Sequence, residues 1–347
     1  MEPLYIQQQP QKFQLQSNEQ NVNLDILSAD ELIKLAEKNS QTMNYDKCFI
    51  LFEEALKKYP DNEEVLTSYG YFLINVKSWK KAKDLLSKAI LANPHSNSQK
   101  YLKIAPLFNG EDSAKFYMKA IEILTSQAEA LNKAGNISLE SINELKKDLS
   151  KAYSALGELY ITDLAGTESA VNEGLTYLRK AIEINQANLG AYFILMSYYN
   201  EMGAHETVNK SACSLMEAYK QVRETYNENY LKEYPNEICL GIVKVFIELQ
   251  EFSDALLILE DLFVNNPSNM EALYLIIYCN FMLENFLTCK KLLGEFNKKK
   301  ECCHNKEILA AIEEIEESLR SNNGTRGNNS DGISEEGGSH SDGMEIE

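Results

Sequence analysis

Apolar residues recur along most of this chain at the spacing of a helix. In residues 63–96, Leu66, Tyr69, Gly70 and Leu73 fall at i, i+3, i+4 and i+7 and so share one helical face. Ala82, Leu86 and Ala89 form a second such face, and Pro94 ends it. Residues 29–62 carry the same register: Leu32, Leu35 and Ala36, then Cys48, Phe52 and Ala55, with Pro60 standing 34 residues before Pro94. Each window therefore predicts two antiparallel helices. Gly70 lacks a Cβ, which lets the second helix pack closely on the first. Trp79 is expected to wedge between the two near their turn.

This register resembles the tetratricopeptide consensus, W-x2-L-G-x2-Y…A-x3-F…P. Further windows carry it with variations. Residues 98–124 give a third pair whose first helix is cut short by Ala105-Pro106 and Asn109-Gly110. Phe116, Tyr117, Ala120, Ile121 and Leu124 form its second helix. A polar stretch with Gly135-Asn136 at its centre reads as an insertion near 125–146, either a helix extension or a flexible excursion. Residues 147–184 form a fourth pair. Gly157 to Ala181 spans 24 residues against 19 from Gly70 to Ala89, so its turn is expected to be five residues longer. Residues 189–223, 237–269 and 270–300 give the fifth to seventh pairs. Residues 305–319 form an amphipathic helix with an acidic outer face, suited to close the core of a repeat array. The predicted fold is an all-α, right-handed tetratricopeptide-repeat superhelical solenoid over 26–320, with a C-terminal capping helix. A disordered N-terminal arm at 1–25 and a disordered acidic tail at 321–347 flank it.

Charge narrows the partner. The chain's 347 residues carry 34 Lys and Arg against 52 Asp and Glu, a net charge of −18. A polyanion would be repelled, so direct nucleic-acid binding is not expected, whereas a basic protein partner suits this balance. The 7 cysteines show no C-x2-C spacing and most sit in apolar helical pattern, as small buried hydrophobes in a reducing compartment. The first twenty residues are Gln-rich without a continuous apolar run, so no signal peptide is expected. No stretch is long enough to span a bilayer. Cytoplasm and nucleus are the expected locations, and a monomer the expected state.

No catalytic chemistry presents itself. His95, His205, His304 and His340 lie in turns, helix ends or the tail. Cys302-Cys303-His304 would splay on a helix rather than hold one ion. Phosphate-cradling glycine loops are missing. Neither a cofactor nor a metal is expected, and the protein is read as a binding protein rather than an enzyme.

In a tetratricopeptide array the second, fifth, ninth, twelfth and thirteenth positions of each first helix face the concave groove. The candidate client-binding residues are Tyr71 and Asn75 in the second pair and Glu158 in the fourth, with Asp163 just beyond. Asn200 and Glu201 follow in the fifth, Glu237 and Glu248 in the sixth, and Tyr274 and Tyr278 in the seventh. Thr67, Phe193, Lys244, Glu271 and Phe281 share those positions. Carboxylates pair with Arg and Lys, and tyrosine faces attract guanidinium. Asp163 has a second reading, as the cap of the following helix. Tetratricopeptide clamps for the acidic tail of heat-shock chaperones carry Lys and Asn at the fifth and ninth positions. Ile33 and Glu37, then Thr67 and Tyr71, stand there instead, which argues against that function.

Two segments carry a narrower resemblance. Lys100-Tyr101-Leu102, Leu107-Phe108, Gly110-Glu111, Tyr117 and Ala120-Ile121-Glu122 form one. Ala152-Tyr153, Glu158-Leu159-Tyr160 and Thr162-Asp163-Leu164 form the other. Together with the long fourth turn and the acidic tail, these resemble the dedicated assembly chaperones of large-subunit ribosomal protein L4, over roughly residues 46–319. Residues 165–173 are milder than the family's usual acidic run. The resemblance implies capture of the newly made ribosomal protein by its long, basic, unfolded internal loop, shielding of that loop, and escort to pre-ribosomes in the nucleus. A generic tetratricopeptide scaffold in an RNA-processing or ubiquitin-ligase complex is the alternative.

Overall fold

The computed structural model describes residues 24–134, 139–226, 231–232 and 234–326. Among these residues the regular elements are all helical and no strand occurs. Residues 1–23 and 327–347, which hold most of the two expected disordered ends, lie outside the described residues. No helix among the described residues is long and apolar enough to cross a membrane. The chain divides into two compact units, Met1–Ser126 and Gln127–Glu347.

Unit 1 is built from the hairpins α1 (Ala29–Gln41) with α2 (Tyr45–Lys58) and α3 (Glu63–Asn75) with α4 (Trp79–Ala92). Short α5 (Ser98–Ile104) and the start of α6 (Gly110–Ala134) follow. Each start has a local cause. Ser28 caps α1 in a reciprocal box: its Oγ accepts from the Glu31 amide while Glu31 accepts from the Ser28 amide at 2.8 Å. Asn44, Asn62 and Asn97 cap α2, α3 and α5 with their side-chain oxygens. The hairpins then bury the expected stripes. Leu32, Ala36, Phe52, Leu66, Tyr69 and Leu73 form one core with Ala82 and Ala89, and the Phe52 and Tyr69 rings stack 5.0 Å apart. Gly70 does what its place in the register requires: a Cβ there would lie 2.7 Å from Leu86 Cγ.

Trp79 does not wedge into this hairpin. It is the first residue of α4 and 49% exposed. Tyr45, at the same place on α2, is 44% exposed as well, although its ring meets Phe72 of the next first helix at 6.2 Å. Both residues open their helix, where a side chain leans back past the helix end rather than onto a preceding turn, so the position is exposed in both hairpins.

Unit 2 begins within α6, whose bounds run to Ala134, and continues with α7 (Leu139–Ile161) and α8 (Glu168–Ile184). Both described flanks of the insertion are helical, α6 being 25 residues long and α7 23, while its centre with Gly135-Asn136 lies outside the described residues. The fourth turn, Thr162–Thr167, is six residues against three at Val76–Ser78. The rest of the extra length goes into α8, which has 17 residues where α4 has 14. Then come α9 (Leu189–Glu201) with α10 (His205–Tyr226), α11 (Asn236–Glu248) with α12 (Phe252–Asn265), and α13 (Met270–Met282) with α14 (Phe286–Lys298). The capping helix α15 (Lys306–Arg326) packs on α13 and α14 through Ile308, Ile312, Ile315 and Leu319. It runs past the boundary expected at residue 320, so the start of the predicted tail is helical.

Polar staples supplement this apolar core. Asn188 donates to Ser150 Oγ at 2.7 Å and Ser154 Oγ at 2.8 Å, joining α7 to the α9 cap. Arg223 on α10 forks onto Asp261 of α12 at 2.7 and 2.9 Å, and Tyr219 adds a third bond to the same carboxylate. The seven cysteines are unpaired, and Cys48, Cys239, Cys279, Cys289 and Cys303 are buried. Burial pushes the Cys239 thiol up to about 12, in keeping with a packing role. Cys302 is exposed while adjacent Cys303 is buried, which separates the two thiols.

Candidate functional site

In unit 1 the open side of α3 follows from its buried one. Val65, Leu66, Tyr69, Gly70, Phe72 and Leu73 are buried. Glu64, Ser68, Tyr71 and Asn75 are left toward the less covered face, at i, i+4, i+7 and i+11. Glu64 and Asn75 are exposed, whereas Tyr71 is half-buried and Thr67 is covered. The hydroxyls of Thr67 and Tyr71 are both buried and have no hydrogen-bond partner. Burial and the nearby Glu63 charge push the Tyr71 phenol up, so it remains a protonated donor.

Glu63 itself is occupied. Lys100, wholly buried, bonds to it at 2.8 Å and donates to Ser96 Oγ at 2.7 Å and to the Asn93 carbonyl. Burial works to raise the Glu63 pKa, but the bonds from Lys100, Ser96 and Asn93 outweigh it and hold the carboxyl below its ordinary value. This ties α5 to α3 and removes both charges from the candidate face.

In unit 2 the structure links several candidates across successive elements. Asn200 on α9 donates to Glu248 Oε2 on α11 at 3.2 Å. Lys244 on α11 pairs with Glu271 on α13 at 2.8 Å. The Tyr274 and Tyr278 rings lie 6.3 Å apart on α13, and Phe252 of α12 meets Tyr278 edge-on at 6.3 Å. Both tyrosines are half-buried against the α13–α15 core, so only part of each ring remains available to a partner. Glu314 of α15 comes close enough for its charge, after burial and Tyr278, to help raise the Tyr274 phenol. The sequence did not single out Glu314, because the capping helix reads as a lid. The only signal was its acidic run, Glu313-Glu314-Ile315-Glu316-Glu317.

Glu201 and Glu237 are exposed, and neither pairs with a cation among the described residues. Glu158 is also open to solvent, yet its carboxyl is raised above its ordinary value, first by partial burial and then by the charge of Asp163. Asp163 does not cap the next helix. That place is Thr167, whose Oγ1 accepts from the Ala170 amide at 3.2 Å. The two carboxylates instead concentrate negative charge at the end of α7. Phe193 is spent on packing, since its ring lies where a Cβ on Gly241 would meet it at 2.4 Å.

The acid excess is unevenly divided. Residues 1–126 carry 15 Lys and Arg against 16 Asp and Glu, while residues 127–347 carry 19 against 36. Unit 1 is close to neutral and unit 2 holds nearly all of the chain's negative charge. No group of three or more His, Cys, Asp or Glu side chains suited to a metal ion occurs among the described residues.

No protein-family model matches the chain. A curated protein of Schizosaccharomyces pombe (strain 972 / ATCC 24843), named probable assembly chaperone of rpl4, is 23% identical over 231 residues. The match covers 65% of this chain and 65% of that protein, so it spans just under two thirds of the relative's length. A solved structure of the Assembly Chaperone of RpL4 (Acl4), residues 1–338, superposes with a TM-score of 0.59 at 16% identity, covering 76% of this chain and 99% of that one. The fold is therefore all-α and of the tetratricopeptide type, and the similarity in both sequence and fold is to the kind of assembly chaperone that the quoted segments resemble.

Proposed function

We propose that this chain is a dedicated assembly chaperone for a newly made large-subunit ribosomal protein of the L4 type. The observation that carries the proposal is the 231-residue match to a relative named for that role. The protein holds a basic, unfolded segment of the client against exposed carboxylates and partly open tyrosine rings, and escorts it to pre-ribosomes. The charge division supports this: encounter is steered by unit 2, where the acids outnumber the bases 36 to 19. Glu158, Glu201 and Glu237, which pair with no cation among the described residues, are available to Arg and Lys of the client. The work is binding and release, performed by a monomer in cytoplasm and nucleus without cofactor, catalysis or direct contact with nucleic acid.

An affinity pull-down from pulse-labelled cells tests it. A newly synthesised L4-type ribosomal protein should co-purify, and its share should fall during a chase. Recovery of mature, folded assemblies with no enrichment of the new protein would point to a scaffold instead.

A further inference from the structure

We propose that Thr67 and Tyr71 form a hydrogen-bonding subsite for the main chain of an extended bound segment. This deepens the proposed function and rests on its reading of an unfolded client.

The two hydroxyls break the habits of the rest of the molecule. Several helical Ser and Thr bond back to the carbonyl four residues earlier: Ser126 to Glu122, Thr176 to Asn172, Ser211 to Thr207 and Ser318 to Glu314, at 2.8–2.9 Å. Thr67 does not, although it is only 8% exposed. Two buried tyrosines show the usual outcome: Tyr219 donates to Asp261 at 2.7 Å and Tyr101 to the Pro94 carbonyl at 2.8 Å. Tyr71 has none. A buried hydroxyl without a partner is costly, and two on one helix call for an explanation.

Their geometry suits a main chain. Residues i and i+4 of a helix are separated by about 6 Å along the axis. Groups pointing the same way from an extended chain recur at every second residue, roughly 6.8 Å apart. Two donors rooted one turn apart on α3 can thus reach alternate carbonyls of an extended segment once the Tyr71 side chain swings off Thr67. Glu64 and Asn75, both exposed, flank them on the same helix and offer a carboxylate and an amide to side chains. Glu63 does not compete, because Lys100 and Ser96 hold it.

Both hydroxyls are covered in the free protein, so something must move. The half-buried Tyr71 ring is the candidate. A helical side chain leans back over the residue four before it, which for Tyr71 is Thr67. Rotation of Tyr71 would present its own hydroxyl and uncover that of Thr67. Main-chain capture suits an unfolded client, because it is indifferent to side-chain sequence.

The test uses T67V, Y71F and the double variant in the full chain. The probe is a synthetic peptide of the L4 basic internal segment, titrated by calorimetry at two salt concentrations, with thermal unfolding of the free proteins alongside. The expected result is an unchanged or raised melting temperature and binding weakened by about tenfold per hydroxyl. The salt dependence should match wild type, because neutral bonds are lost. Wild-type affinity in the double variant overturns the subsite and leaves the functional reading standing. Lowered melting with unchanged affinity also overturns it, by showing that the hydroxyls are satisfied within the free protein. If the wild-type chain fails to bind the peptide, the functional reading falls and the subsite with it.

Discussion

Gly70 and Gly157 stand at the same place in two hairpins but face different obstacles. A Cβ on Gly70 would meet Leu86 Cγ at 2.7 Å, a side chain that can shift. A Cβ on Gly157 would meet Leu178 Cγ at 2.7 Å and also the Gly174 carbonyl at 2.9 Å, which is backbone. Alanine adds helix propensity worth about 1 kcal/mol at either place, against overpacking of about 1–3 kcal/mol. G157A should therefore lower stability clearly more than G70A, as denaturant midpoints would show; equal losses would contradict the close backbone approach. Lys100 makes a second residue-scale claim. K100M keeps volume but takes the cation from Glu63, which retains only its bonds from Ser96 and Asn93, and should cost about 1–3 kcal/mol. Because folding depresses the Glu63 pKa below 4.5, its contribution is present above that value and is lost as pH falls through the folded value. The penalty of K100M should shrink in acid. Glu158 has the opposite sign. Its carboxyl is raised on folding, so charging it opposes the fold as pH rises from 4.5 through the folded value. A bound cation reverses that cause. Client binding in this range should release protons, and E158Q should release fewer, by calorimetry in buffers of different ionisation enthalpy.

At the scale of elements, the hairpins were legible because each buries a stripe at helical spacing and ends at an Asn, Gly or Pro signal. What stayed hidden was structure that buries little. The extensions of α6 and α7 use residues such as Ala128, Ala130, Leu131, Glu144 and Lys147, good helix formers that are mostly exposed or half-exposed. A reading that counts buried positions could not tell them from a loop. Trp79 was misplaced because it is the first residue of α4: its side chain leans back past the helix end, and Tyr45 at the same place on α2 is exposed too. Turn chemistry supplies the element-scale prediction. Met43, Lys77, Gln250 and Glu284 take left-handed φ values of 57–62° in the hairpin turns, where α9 and α10 are joined by Gly203 at φ 69°. Side chains strain that conformation and glycine does not. Each of M43G, K77G, Q250G and E284G should raise stability by about 0.5–1 kcal/mol, measured by thermal or denaturant unfolding. Destabilisation by all four would show that the turn strain is offset by contacts of those side chains.

For the whole molecule, the sequence total of −18 concealed its distribution: neutral in unit 1, acidic in unit 2. Of the candidate face, Glu158, Glu201 and Glu237 are in the open state the register implied. Glu248 is engaged by Asn200, and Tyr274 and Tyr278 are partly covered. Such engagement depends on cross-element distances that no single helix pattern contains. Lysine at both Glu158 and Glu201 should leave melting nearly unchanged, since both are exposed, while client binding falls by ~1–3 kcal/mol and its salt dependence weakens. A fall in melting of similar size would assign these acids to packing. The most direct measurement is the affinity of the purified chain for ribosomal protein L4 with and without its basic internal segment, across a series of salt concentrations. Binding that requires the segment, is tight at low salt and weakens steadily as salt rises is the predicted result. Equal binding of L4 lacking the segment, or affinity indifferent to salt, would contradict the account.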